Sequence, residues 1–414
     1  MSQKTCIVKF LDLGLKGLLA TMITVSFLAT SSFGGEVVVK QMIGEKEYRV
    51  EKAEKEKTYW VYFGDEKLLW EPRPSQYKEL QDKGPVFYDR WTKPGCLYPL
   101  DISLEERAKL NGSQIYRRYM DLEDTAQMLD WKGGFMFDII DKAGGIRRRV
   151  CLEWKRHYQR WPEIYAKENK MINKRYILVT YPDDIRGLAT LTKVYDDPNK
   201  EQDSWLYLPS VRRIRRMSTS AKEDFAFGMP IRNEDFPIMD PFLHKYNNGG
   251  IELFKDPGPK TWGFGSSQWE VLDPNQKGIG TADPRQEGIG TPAWRLECTR
   301  GPSKWWFAKK IMHIGVKDLN NYLEEAYDDK GTLIRTAIFG FRPGNICYPE
   351  ANPEYLLWNM WGADDLRTGY KTMIWGAMRR DDSAHQECFF DSKFDEGIFQ
   401  PEMLLREYTS TKQY

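Results

Sequence analysis

The stretch YPDDIRGLATLTKVYDDPNKEQDSWLYLPSVRRIRRM, residues 181–217, decides the fold. Short runs of β-branched, aromatic and aliphatic residues are cut there by Pro-Asp-Asp, Asp-Asp-Pro-Asn and Leu-Pro-Ser. Proline presets φ for a turn, and Asp and Asn side chains bond the backbone two residues on, so these breaks fold neighbouring strands back on one another. The pattern predicts an antiparallel meander that extends from Tyr176 to Asp235. It runs through Arg212, Arg213, Arg215 and Arg216 around Ile214, then into an aromatic and glycine-rich segment from Phe225 to Asp235.

Upstream, FMFDII and IRRRVCLEW flank a turn at Asp141 to Gly145 and predict a hairpin. Before it, SLEERAKL pairs Ser103 with Glu106 in the spacing of a capping box, and Ile115 to Leu129 continues with helical spacing. The segment Val37 to Arg73 mixes charges with Tyr59, Trp60, Tyr62 and Phe63, and predicts a helix or an extended arm whose aromatic end docks on the body. Leu80 to Pro99 is rich in Gly and Pro and reads as loop.

Downstream, Pro241 to Gly301 is loop-like up to AWRLECT and holds a repeat, QKGIGT at Gln276 and QEGIGT at Gln286, expected on a surface hairpin or flap. Strand signals resume in AWRLECT, KWWFAKKIMHI, YLEEAYDDKG and TLIRTAIFGF, then in YKTMIWGAMR and the closing FQPEMLLREY. Consecutive antiparallel strands with no linker between the two sets predict an α+β chain, mainly antiparallel β. Its centre is one large curved sheet covered by helices and long loops. The expected division is a signal peptide at 1–34, an N-terminal arm with loops at 35–100, and a body at 101–414 with a loop-rich insertion at about 241–292.

The chain has 414 residues, enough to bury a large core, and its 61 basic and 60 acidic side chains give no field that favours nucleic acid. Lys4, Lys9 and Lys16 precede the apolar run LLATMITVSFLAT and the small residues SSFGG, the order of a secretory signal cleaved after Ser31 or Gly34. That predicts a soluble, exported, periplasmic protein. Cys96, Cys151, Cys298, Cys347 and Cys388 are widely spaced without a C-x-x-C pair, compatible with one or two disulfides or with buried thiols.

Chemistry-bearing motifs are few. His157, His244, His313 and His385 form no metal-ligand spacing, and neither a Walker loop nor a G-x-S-x-G elbow occurs, so no metal or cofactor is expected. The acidic pairs Asp183 and Asp184, Asp196 and Asp197, Asp364 and Asp365, and Asp381 and Asp382 suit turns, and equally the two carboxyls of a glycoside hydrolase. By strand alternation Arg212, Ile214 and Arg216 share one face, while Val211, Arg213, Arg215 and Met217 share the other. Arginine on an inward face needs a carboxylate or an anionic ligand, and on a sheet edge it forms cross-strand ion pairs.

YPDDIRGLATL, DSWLYLPSVRRIRRM, FAFGMPIRNEDF and KIMHIGVKDLNNYLEEAYDDKGTLIR together resemble successive motifs of a periplasmic family of unknown function whose members are labelled outer-membrane lipoprotein-sorting proteins. The resemblance runs from about Phe135 to Leu404 and implies a LolA/LolB-like half-barrel with a hydrophobic cavity. It implies a carrier of a lipid, lipoprotein or other hydrophobic ligand working beside an RND-type inner-membrane transporter or an outer-membrane component, without catalysis. On that reading Trp205, Tyr207, Ile214, Trp294, Leu296 and Trp306 are candidate walls, and Arg213 and Arg215 candidate head-group contacts. The competing expectations are a secreted carbohydrate-active hydrolase using paired Asp residues, and an envelope assembly factor with a packed interior.

Overall fold

The computed structural model describes residues 35–72, 103–125, 130–158, 170–195, 197, 199–218, 222–235, 242–255, 288–343, 356–376, 386–389 and 396–405. All belong to one compact unit, Gly35–Tyr414. The expected signal peptide, the Leu80 to Pro99 loop and the first GIGT copy lie outside the described residues.

The chain begins with a four-stranded antiparallel meander: β1 Val37–Ile43, β2 Lys46–Lys52, β3 Tyr59–Phe63 and β4 Glu66–Trp70. The charged pattern that allowed a helix or an arm is instead a sheet. Tyr59, Val61 and Phe63 alternate inward on β3, and tight turns at Gly44 and Gly64 hold positive φ. Two helices follow, α1 Leu104–Ala108 and α2 Gly112–Thr125, the first closed by the expected capping box between Ser103 and Glu106.

The rest is one antiparallel sheet. In chain order its strands are β5 Asp130–Ile140, β6 Ile146–Tyr158, β7 Met171–Tyr181, β8 Ala189–Tyr195, β9 Asp203–Leu208, β10 Arg213–Met217, β11 Lys245–Leu253, β12 Pro292–Thr299, β13 Lys309–Gly315, β14 Asn321–Tyr327, β15 Leu333–Pro343, β16 Leu356–Asp365, β17 Tyr370–Gly376 and β18 Gln386–Phe389. The spatial order is β10-β9-β8-β7-β6-β5-β17-β16-β15-β14-β13-β12-β11, with β18 also paired to β5. Each half is a meander of hairpins, and the β5–β17 pairing joins them into one curved, unclosed sheet with β10 and β11 as its edges.

Three local expectations differ from the fold. β11 lies inside the stretch that read as loop: Asn247, Asn248, Gly249 and Gly250 carry weak strand propensity, but a bulge between Asn248 and Ile251 absorbs them in an edge strand. The described part of the closing FQPEMLLREY, residues 399–405, is not a strand. A 3-10 turn at Glu396–Phe399 leads into it, and Pro401 follows where a strand would need its N–H. The second GIGT copy is no surface flap, because Gly288 and Gly290 form a turn buried against Tyr322 and Trp70. A Cβ at Gly288 would overlap the Tyr322 ring, and both glycines hold positive φ.

Cys151 and Cys298 are buried in separate parts of the sheet.

Candidate functional site

Register fixes which side chains share a face across the whole sheet. One face carries Trp294, Leu296 and Cys298 of β12, Lys310, Met312 and Ile314 of β13, and Glu324 of β14. It continues through Arg335, Ala337 and Phe339 of β15, Ala363 of β16 and Ile374 of β17 to Phe135 and Phe137 of β5. It ends with Leu152 and Trp154 of β6, Arg175 and Ile177 of β7, Thr190 and Thr192 of β8, Ser204 of β9 and Met217 of β10. Its character changes along this path, from large apolar side chains to hydroxyls and cations.

Three different elements meet this face. Over β11–β13, Trp294, Leu296, Met312 and Ile314 share a core with Ile115 and Tyr119 of α2 and with Tyr48, Val50, Val61 and Phe63 of the small sheet. Over the middle, Phe135, Phe137, Leu152, Trp154, Ile177, Ala337, Phe339 and Ile374 pack with Ala226, Met229 and Ile231. Those last three residues belong to a loop, 222–235, that we call the plug. Beyond the plug, over β7–β10, the face opens into a small cleft.

The plug is built from its own sequence. Ala226 N–H donates to the Ile231 carbonyl at 2.8 Å, Met229 N–H to the Ala226 carbonyl at 2.8 Å and Asn233 N–H to the Asp224 carbonyl at 3.0 Å. The Arg232 guanidinium stacks on Phe225, 3.8 Å from the ring centroid, and donates to the Glu223 carbonyl at 2.6 Å. Phe227 at φ 52 and Gly228 at φ 74 turn the chain through the left-handed region, which aims Ala226, Met229 and Ile231 together at the sheet.

The end of the plug is anchored by buried charge. Glu234 accepts from Trp305 Nε1 at 3.0 Å and from Trp306 Nε1, and lies 3.2 Å from His244 Nε2 and 3.6 Å from Lys310 Nζ. Asp235 accepts from Arg335 at 2.5 Å and caps its own loop by accepting from the Arg232 N–H at 2.6 Å. Lys310 also pairs with Glu324 at 3.1 Å. The Trp306 ring sits amid three cations, with Lys310 Nζ and Arg335 Cζ each 5.0 Å and Arg232 Cζ 5.6 Å from its centroid.

Burial alone would neutralise Glu234, but Lys310, His244 and the Trp305 hydrogen bond outweigh it and hold the carboxyl below its usual range. Burial likewise opposes charge on Lys310, yet Glu234, Glu324 and Asp235 drive its ammonium well above the ordinary value. Asp235 is pushed upward by burial against the pull of Arg335 and Lys310, with Glu234 and Glu324 adding. Ions desolvated in this way persist only when partnered, and the partners come from the plug, β13, β14 and β15 at once.

The cleft beyond the plug has a volume of about 60 Å³ and is lined by Arg175, Thr192, Ser204 and Met217 on the sheet side and by Lys222, Phe227 and Asn233 of the plug. Acyl-chain sites occupy roughly 300–1,000 Å³, so this cleft is of head-group size, not tail size.

The residues expected as walls fall into separate clusters. Tyr207 is buried and Trp205 and Ile214 are half-buried on the sheet's opposite face, where they pack with Tyr176, Leu191, Ile398, Phe399 and Leu404. Trp294 and Leu296 are fully buried under the small sheet, and Trp306 stands in the charged network. Arg213 and Arg215 are exposed on edge strand β10, on the same face as Met217 of the cleft rim. Arg212 lies in the turn at φ 52, and Arg216 pairs across the strand with Asp203. Of the Asp pairs, Asp183 and Asp184 are turn residues facing Arg186 and Arg148, while Asp365 binds the backbone of Arg367 and Thr368. Asp196, Asp381 and Asp382 lie outside the described residues.

Glu234, Asp235, Lys310, Glu324 and Arg335 were not singled out by sequence, and His244 was named only among four histidines without metal-ligand spacing. All except His244 lie in the FAFGMPIRNEDF and KIMHIGVKDLNNYLEEAYDDKGTLIR stretches, and the legible signal was an acidic pair closing an apolar, glycine-containing segment.

A family model described only as an uncharacterized protein matches residues 172–253, which span β7 through β11 and include the plug. No curated protein matches the sequence. Among solved structures, an outer membrane lipoprotein-sorting protein domain from Vibrio parahaemolyticus aligns with a TM-score of 0.50 at 16% identity, over 71% of this chain and 98% of that one. A DUF1329 family protein from Desulfovibrio piger gives a TM-score of 0.48 at 17% identity, over 71% and 97% of the chains. A LolA superfamily protein from Nitrosomonas europaea gives 0.42 at 13% identity, over 70% and 98%. The chain shares the fold of the lipoprotein-sorting domain: a large, curved, unclosed antiparallel sheet with few helices. Among the described residues, no helix is long and apolar enough to cross a membrane.

Proposed function

We propose that this protein is a periplasmic carrier or binding protein for a lipid, a lipoprotein or another hydrophobic ligand, that it works without catalysis, and that it hands its cargo to or from an RND-type transporter or an outer-membrane component. One observation carries the reading: among the described residues, the apolar middle of one sheet face is covered by a short loop, where its β11–β13 end is covered by a helix and a second sheet. The fold shared with a lipoprotein-sorting domain agrees with it.

The energies make exchange feasible. Burying Met229, Ile231 and Ala226 contributes about 4–7 kcal/mol, whereas a chain of about fourteen methylenes contributes roughly 11 kcal/mol. An acyl chain that displaces the plug therefore recovers the apolar burial that the plug gives up. The sheet stays in place and only a loop must move. In this reading Arg213 and Arg215, exposed at the rim, meet cargo or a partner surface first, and the small sheet covers one end of the body.

Native mass spectrometry of the exported protein, followed by organic extraction, tests the proposal. An amphiphile of defined mass retained at about one per chain is the expected result. Failure to find or load any amphiphile, after delipidation and incubation with mixed bacterial lipids, would overturn it in favour of an assembly factor with a packed interior.

A further inference from the structure

We infer that the cleft between the plug and strands β7–β10 is a binding site for a tetrahedral oxyanion, of which a phosphate-bearing head group is the chemical type. This rests on the carrier reading only for the source of that phosphate.

Size is the first argument. At about 15 Å³ for each water by the same measure, a cleft of this volume holds roughly four waters. That is the scale of one phosphate group, and it is too small for a hydrocarbon tail.

The lining chemistry is the second. Arg175 of β7 and Lys222 of the plug are both buried cations, 6% and 3% exposed, and both line the cleft. The same lining holds the hydroxyls of Thr190, Thr192, Ser204 and Ser218 and the amides of Gln202 and Asn233. Among the described residues, no carboxylate lines the cleft. The hydroxyls are already ordered: Gln202 Nε2 donates to Ser204 Oγ at 3.2 Å, and Ser204 donates to Thr192 at 3.3 Å. The buried Gln202 Oε1 finds no donor among the described residues, an acceptor suited to the P–OH of a monoprotonated phosphate. A guanidinium, an ammonium and several hydroxyls around a phosphate-sized space form an oxyanion-binding set.

Position is the third. Lys222, Phe227 and Asn233 belong to the plug, and Asn233 adjoins the Glu234 anchor. Ile177 and Phe227 line the cleft and also belong to the apolar cluster under the plug. A phosphate held here places the tail attached to it at the seam through which the plug's apolar residues would be displaced.

The test compares wild type with Lys222→Gln and, as a milder variant that keeps both cations, Ser204→Ala, each checked for an unchanged far-UV spectrum. Dispersed phosphatidic acid, diacylglycerol with the same tails and inorganic phosphate are titrated separately. The inference predicts that phosphatidic acid binds wild type about tenfold or more tighter than diacylglycerol, that Lys222→Gln removes this preference, and that Ser204→Ala reduces it. Saturable binding of inorganic phosphate, lost in Lys222→Gln, supports the site with a free anion as its source, even if no amphiphile binds and the carrier reading falls. Equal binding of phosphatidic acid and diacylglycerol with no phosphate binding overturns the site and leaves the carrier reading intact. A phosphate preference unchanged in both variants also overturns it.

Discussion

At Glu234 four groups converge on one buried carboxylate: two indole N–H donors, one imidazole nitrogen and one ammonium. Replacing it with Gln removes the charge while conserving volume, so Lys310 keeps only Glu324 and a distant Asp235. The expected loss is about 3–5 kcal/mol of unfolding free energy, read from urea melts. A loss below about 1 kcal/mol would show that the network re-forms without it. His313 offers a different kind of prediction. It sits 3.1 Å from Glu252 and 3.3 Å from Glu325 on the sheet's other face, and although burial pulls its pKa down, these carboxylates raise it above the ordinary value. The folded state therefore holds the proton more tightly than the unfolded one. The stabilisation is complete below about pH 6.5 and is lost as pH rises through the raised folded value. His313→Gln should flatten that part of the stability profile, measured by denaturant melts from pH 5 to about 9, and an unchanged slope would assign it elsewhere.

Among the elements, the plug is the one whose shape depends on single backbone positions. Gly228 has φ +74, and nothing lies within 4 Å of where a Cβ would stand, so Gly228→Ala meets no clash and costs only the left-handed conformation, about 1–2 kcal/mol. The cost is local. Hydrogen exchange of the Ala226 and Met229 amides should speed up by about tenfold or more, while amides of β5 and β6 beneath keep their protection. Uniform loss of protection would mean the plug is part of the global folding unit and cannot open alone. This element also marks how far sequence reaches. Alternation and turn residues located most strands, because both are local signals with a physical period. The plug appeared as an aromatic and glycine-rich segment without a role, because its role comes from partners far along the chain: Trp305, Trp306, Lys310 and Arg335. Trp205 and Trp294 were legible as aromatic strand residues, but parity could not say that they stand on opposite faces of a sheet whose halves join through β5 and β17.

For the whole molecule, the decisive property is that one sheet face is covered by unlike pieces: a small sheet and helix at one end, a loop in the middle, a polar cleft at the other. Separate covers allow one to move while the others hold the fold. The small sheet is fixed mainly by apolar contact, with Tyr48 donating to the Gly290 carbonyl at 3.0 Å and Glu66 accepting from the Leu253 N–H at 2.9 Å. Val61, fully buried in this core, is the sensitive position, since a carboxylate there has no partner. Val61→Asp should release the small sheet from Trp294, Leu296, Met312 and Ile314, giving a strong rise in hydrophobic-dye fluorescence and a red shift in tryptophan emission. The plug, anchored through Glu234 and Asp235 to β13 and β15, should keep its exchange protection in the same variant. If plug amides lose protection together with the small sheet, the covers form one cooperative unit. Cargo entry would then require opening the whole face, and a local exchange of loop for ligand would be ruled out.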